Sequence, residues 1–273
     1  MTKSSEAAAI PARAGSSEAR IEVRDLTMAF GDFIVMRDLN FIVRRGDIFV
    51  VMGGSGCGKS TLLRHMIGLL EPARGEILYE GKSFTRASTE ERQRMLRRFG
   101  VTYQSGALWS SMTLAENIAL PLAEFTDLSE WEIQAIAKLK LGLVGLKGFE
   151  DYYPSQISGG MQKRAALARA MALDPDVLFF DEPSAGLDPI STRLLNELII
   201  ELRDSLGATI MVVTHDLASI FMIANNSVFL DGISRRMIAQ GDPRELRDHC
   251  DIPAVQKFLH PDLESRAEAR ADG

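Results

Sequence analysis

Apolar and polar positions alternate through IEVRDLTMAF (21–30) and again through FIVMRDLNFIVRRG (33–46), with turn chemistry at Gly31-Asp32 and at Arg45-Gly46-Asp47. A period of two predicts half-buried strands joined as an antiparallel pair. The next run, IFVVM (48–52), is apolar at every position, as a strand covered on both faces should be. Leu62, Leu63, Met66, Ile67 and Leu70 then recur at helical spacing. Residues 105–157 hold few strand-like runs. There Ser129 caps Glu130-Trp131-Glu132, and Ile133, Ile136, Ala137, Leu141 and Val144 form a stripe, which predicts a helical subdomain inserted into an α/β core. Beyond it VLFF (177–180), ATIMVV (208–213) and SVFL (227–230) read as buried strands. Between the first two lies a helix whose Leu194, Leu195, Leu198, Ile199 and Leu202 share a face. Alternating strands and helices predict a mostly parallel sheet.

The turn between the strand at 48–52 and the following helix is Gly53-Gly54-Ser55-Gly56-Cys57-Gly58-Lys59-Ser60, with Thr61 next. It fits G-x-x-x-x-G-K-[ST], in which glycines let successive N–H groups converge on phosphate oxygens at the positive end of a helix. Lys59 is placed to bridge terminal phosphates and Ser60 to ligate Mg²⁺. The bland alternative is a tight turn with an exposed lysine, and the strand-to-helix context speaks against it. Cys57 holds a variable position of the pattern and carries no functional signal of its own.

VLFFDEP (177–183) sets two carboxylates directly after a buried strand, at the edge where a parallel sheet meets its ligand. Asp181 suits Mg²⁺ or its water, and Glu182 suits activation of an attacking water. A phosphate loop alone binds passively; a metal site with a base implies hydrolysis.

Composition narrows the classes further. With 273 residues, 46% hydrophobic and 25% charged, the chain has material for one large core or two modest ones. A net charge of −6 gives no global field for nucleic acid. No run approaches the ~18 consecutive apolar residues of a membrane span. Cys57 and Cys250 make no disulfide framework, which fits a reducing cytosol. Residues 1–20 are small and polar and read as a disordered tail, and the charged segment from Pro243 to Gly273 reads as helix-prone with a fraying end.

ISGGMQKRAALARAMALDPD (157–176) makes the resemblance specific. Ser158-Gly159-Gly160 opens a helix carrying Lys163, Arg164 and Arg169, and resembles the signature of ATP-binding-cassette (ABC) ATPases. The resemblance spans roughly 21–245, leaving 246–273 as a C-terminal extension. It implies a P-loop NTPase (RecA-like) core with an antiparallel β subdomain and an inserted helical subdomain at about 105–157, and it implies ATP and Mg²⁺ as ligands. Phe30 is similar to the family's adenine-stacking aromatic, with Phe33 and a core phenylalanine as competing readings. Gln104 resembles the glutamine that reaches Mg²⁺ and water, Asp188 in SAGLD the aspartate facing a second subunit, and His215 the histidine at the γ-phosphate. One copy of each motif implies a head-to-tail homodimer in which one signature completes the other copy's nucleotide site.

Within the family, SGGM in place of SGGQ, QSGALWSSMTLAENIALPL (104–122) and GLDPI resemble the ATPases of Mla and Mce-type lipid transporters. That subgroup implies an MlaE-type permease, a lipid-binding MCE-domain protein, in part of the group a STAS-domain (MlaB-like) protein, and a peripheral position on the cytosolic face of the inner membrane. GGSG replaces the commoner GPSG at the loop. Leu108, Trp109 and Met112 are candidate anchors for a permease helix, and DIPAVQKFLHPDLE (251–264) resembles a tail that packs on a neighbour. A solute importer, a permease-free ABC protein and a non-hydrolysing switch are the competing functions.

Overall fold

The structure is a computed structural model that describes residues 8–9 and 18–260. Two compact units divide the chain, one running to Arg86 and resuming at Val213, the other comprising Ala87–Val212.

In the first unit, β1 (Ala8–Ala9) precedes β2 (Ala19–Phe30) and β3 (Phe33–Arg44). The rest of the expected N-terminal tail lies outside the described residues, and β2 starts two residues before Ile21. The two long strands pair antiparallel and turn at Gly31, where φ is 56° and Phe30 faces Phe33 across the hairpin. β4 (Ile48–Gly53) is buried at every residue, as its unbroken apolar run requires. α1 (Lys59–Met66) stops a turn short of Leu70 because Gly68 adopts a φ of 76°. β5 (Arg74–Tyr79) and β6 (Lys82–Ser83) complete a four-stranded antiparallel sheet in the order β3-β2-β5-β6. Tyr79 fastens this sheet to α1, its hydroxyl donating to the Met66 carbonyl at 2.6 Å.

The second unit begins with α2 (Thr89–Leu96), which buries none of its residues, and β7 (Phe99–Thr102). α3 (Leu114–Phe125) and α4 (Glu130–Leu143) open on reciprocal capping boxes, Thr113 with Glu116 and Ser129 with Glu132. They cover about half of the helical stretch read from the sequence at 105–157. α5 (Gly159–Ala170) leads to β8 (Val177–Asp181), α6 (Pro189–Leu206) and β9 (Thr209–Val213). β9, β8 and β7 are neighbours in that order, with β7 and β8 parallel. Gly100 seats β7 on α5 backbone to backbone, since a Cβ there would stand 2.2 Å from the Ala170 carbonyl oxygen. On α6 the buried stripe is Leu195, Leu198, Ile199 and Leu202; Leu194 faces out. Among the described residues no helix is long and apolar enough to cross a membrane.

The chain returns to the first unit through α7 (Leu217–Ile223), β10 (Asn226–Asp231) and β11 (Arg236–Gly241). β10 runs parallel to β4 and antiparallel to β11, and β1 adds parallel to β11. α8 (Pro243–His249) and α9 (Pro253–Leu259) close the described chain. α9 buries Val255 and Leu259, and Gln256 Nε2 donates to carbonyls of Leu246, Arg247 and Cys250. Residues 261–264 of the proposed packing tail lie outside the described residues.

Candidate functional site

The glycine loop is shaped by steric necessity. Gly53 has φ 145°, and a Cβ on it would meet the Leu230 carbonyl oxygen at 2.4 Å and Cys57 Sγ at 2.7 Å. Gly58 has φ 97° and would drive a Cβ to within 2.8 Å of Val35. Gly58 also begins α1 without a side-chain cap, and no acidic residue stands in the first turn. With neither a side-chain cap nor an acid there, the start of the helix suits an anion. Gly54, Ser55 and Gly56 are exposed, whereas Lys59 is 8% exposed and donates from Nζ to the carbonyls of Gly53 (2.9 Å) and Gly54 (3.0 Å). Ser60 and Thr61 are half-buried beside it. Cys57 points inward, and burial pushes its thiol up against the weaker pull of the Lys59 charge, so the loop uses this residue's backbone only.

Phe30 and Phe33 are both exposed, at 53% and 57%, which disposes of the core reading for either. Phe30 ends β2 two residues beyond Met28, and Met28 is 3.6 Å from where a Gly58 Cβ would stand. Phe33 carries the Arg235 guanidinium 4.7 Å above its ring. His215 is exposed, between buried Thr214 and Asp216, the latter capping α7 through the Ala218 N–H.

In the second unit, Asp181 ends β8 and Glu182 follows in the left-handed region at φ 48°. Gln104 lies in the exposed loop after β7. Lys163 of α5 donates to the Gln104 carbonyl; burial lowers its pKa while the Glu182 charge opposes that shift. Ser158 is the N-cap of α5, its Oγ accepting from the Met161 N–H at 3.3 Å, and Gly160 lets Ser191 of α6 approach closely. Asp188 caps α6. Its carboxylate accepts from the Ser191 hydroxyl and from the N–H groups of Ile190 and Ser191, and these bonds hold it below the usual carboxylate range.

The three cationic side chains of α5 are all engaged with backbone carbonyls. Lys163 holds Gln104, Arg164 donates to the carbonyls of Val144 and Gly145, and Arg169 to those of Gly106 and Ala107. These residues brace backbone, and no sequence periodicity reveals it because the acceptors lie 19 to 63 positions away.

A groove of about 910 Å³ opens beside the Gln104 loop, lined by Leu96, Arg97, Phe99, Trp109, Leu120, Phe125 and Arg169 among others. Of the three sequence candidates only Trp109 lines it, 56% exposed; Leu108 and Met112 do not. Asn117 fixes Trp109, accepting from its N–H at 2.7 Å and donating to its carbonyl at 3.1 Å. Arg97 lies 5.5 Å over the Phe125 ring.

Residues 36–185 match the family model described as ABC transporter. The "Intermembrane phospholipid transport system ATP-binding protein MlaF" of Haemophilus influenzae is 42% identical over 236 residues, 86% of this chain and 89% of that protein. Its Escherichia coli counterpart is 39% identical over 239 residues, 88% of each chain. The "Probable ribonucleotide transport ATP-binding protein mkl" of Mycobacterium bovis is 42% identical over 240 residues, but the chain spans only 66% of that protein's length. Among solved structures, a dimeric ATP-binding cassette in a post-hydrolysis state with ADP and Pi aligns with TM-score 0.73 and 27% identity over 81% of this chain and 98% of that one. A cbiO1 subunit of an ABC transporter complex from Clostridium perfringens aligns with TM-score 0.79 and 27% identity over 92% and 100%. The glycine loop, the acidic strand end and the capped signature helix all lie within the matched residues 36–185, and the chain belongs to the ABC transporter family.

Proposed function

We propose that this protein hydrolyses ATP to drive phospholipid movement between membranes of the cell envelope. The observation that carries the reading is the near end-to-end match with two MlaF proteins, 86–88% of this chain and 88–89% of theirs.

In the proposed cycle Phe30 stacks on adenine, the N–H groups of Gly53–Thr61 cradle the phosphates, and Lys59 exchanges its two loop carbonyls for the terminal phosphates. Glu182 takes a proton from water as the water oxygen attacks the γ-phosphorus and the bond to the ADP oxygen breaks. His215 and Gln104 hold the γ-phosphate and the water in line. A Cβ at Gly53 or Gly58 would strike Leu230, Cys57 or Val35, so the loop must keep glycine there, and one carboxylate, one hydroxyl and one amide suit Mg²⁺, which keeps much of its water. Ser60, Gln104 and Asp181 would hold it, and when bound it neutralises charge on the phosphate oxygens. Ser158-Gly159-Gly160 and Asp188 of one copy close over the nucleotide of a second copy, so ATP binding draws the homodimer shut and hydrolysis releases it.

The partners in this reading are an MlaE-type permease, whose cytosolic helix seats in the groove beside Trp109, an MCE-domain lipid carrier, and in some systems a STAS-domain (MlaB-like) protein. The ATPase then lies peripherally on the cytosolic face of the inner membrane.

A second reading, ribonucleotide transport, draws on the mycobacterial relatives, and their lower coverage disfavours it. The test is isolation from native membranes, partner identification by mass spectrometry, and ATPase assay of the complex in liposomes. Phospholipid-stimulated turnover with an MCE protein present is expected. A solute-binding protein, or stimulation by ribonucleotides alone, would overturn the lipid reading.

A further inference from the structure

The Gln104 loop is held in a conformation its own residues do not favour. Gly106 and Ala107 both occupy the left-handed region, at φ 75° and 50°, and for alanine that region is costly. Arg169 keeps the loop there, Nη1 donating to the Ala107 carbonyl at 2.7 Å and Nη2 to that of Gly106 at 3.4 Å. Lys163, on the same helix, holds the other end of the loop at Gln104. Arg169, Ala107 and Trp109 also line the large groove. One side chain therefore touches both the groove and the segment that carries Gln104.

We propose that Arg169 is a positioning residue that ties occupancy of the groove to the placement of Gln104, a role that rests on the reading of this chain as an ATPase. An occupant that contacts the guanidinium or presses on Ala107 changes the two carbonyl contacts. The loop then moves as a stapled unit with α5, and Gln104 moves with it. The coupling runs in both directions, so a nucleotide that draws on Gln104 alters the surroundings of Trp109.

The full chain carrying Trp131→Phe retains Trp109 as its one tryptophan of the original two, and Trp131 is 78% exposed. Titration of this parent with Mg-ATP is expected to change Trp109 emission. In Arg169→Met that change should vanish, while a fluorescent ATP analogue still binds within about twofold of the parent and kcat falls about tenfold at constant KM. Arg169→Lys, which keeps a charged donor, should restore part of the emission change. Lys163→Met, releasing the other staple, supplies the same test if Arg169→Met loses the parent's circular dichroism. A full emission change in either Met variant, or none in a parent that binds the analogue, overturns the proposal. A parent that binds no analogue removes the ATPase reading itself.

Discussion

The ammonium of Lys59 lies 2.9 Å from the carbonyl oxygen of Gly53, in a hydrogen bond that folds the side chain back across its own loop. The side chain is thus already ordered over the loop from which, in the proposed cycle, it turns to the phosphates, and little side-chain entropy remains to be lost on binding. A charge-assisted hydrogen bond is worth about 1.5–3 kcal/mol, so Lys59→Ala should weaken ATP binding by about 10- to 100-fold in titration calorimetry. An unchanged Kd would take Lys59 out of the site.

Glu182→Gln keeps the side chain's size and removes the proposed base. Turnover should fall about 10²–10³-fold with nucleotide affinity retained, and ATP should accumulate on a closed dimer visible by light scattering. Undiminished phosphate release would end the assignment.

Trp109→Ala leaves the acidic strand end and the glycine loop intact while removing an apolar wall of the groove. In a reconstituted complex, ATP consumed per lipid moved should rise severalfold. A proportional fall in both quantities, together with a lower melting temperature, would make Trp109 a packing residue.

Tyr79→Phe deletes the hydroxyl and leaves the Met66 carbonyl without its donor in a site where Tyr79 is 6% exposed. The expected loss is about 1–2 kcal/mol, read as a lower urea midpoint at unchanged slope.

His65 supplies a pH dependence. Burial lowers its pKa below the ordinary 6.5, although its contacts with Thr61 and Glu71 pull the other way. The unfolded chain accepts a proton near 6.5 and the folded chain does not, so stability is full above that value and declines as pH falls through it toward the folded pKa. Asp47, raised by burial, acts with the opposite sign in more acidic solution. His65→Gln should flatten the melting-temperature profile between about pH 5 and 7; an unaltered slope would point to another group.

The parts of this molecule legible in its sequence are those where one local requirement dictates residue type. The unbroken IFVVM run, the glycines that a Cβ would wreck and the Ser129 cap each carry their reason within a few positions. The region from Ala73 to Thr102 was harder because its signals are diluted: α2 buries no residue and so shows no apolar stripe. The roles of Arg164 and Arg169 are hidden for another reason. Their cationic character is plain in the sequence, yet whether a cation meets a phosphate or a carbonyl depends on which loop the fold delivers to it. The groove is similarly hidden, since Leu96, Phe99, Leu120 and Phe125 gather from separate elements.

Glu182 stands at φ 48°, a backbone setting that suits glycine and that burdens a carboxylate-bearing residue by about 1–3 kcal/mol. In the proposed cycle thermal robustness and turnover consequently pull against each other at this single position. Glu182→Gly should melt later than the parent and hydrolyse nothing, a sturdier protein obtained by giving up the reaction.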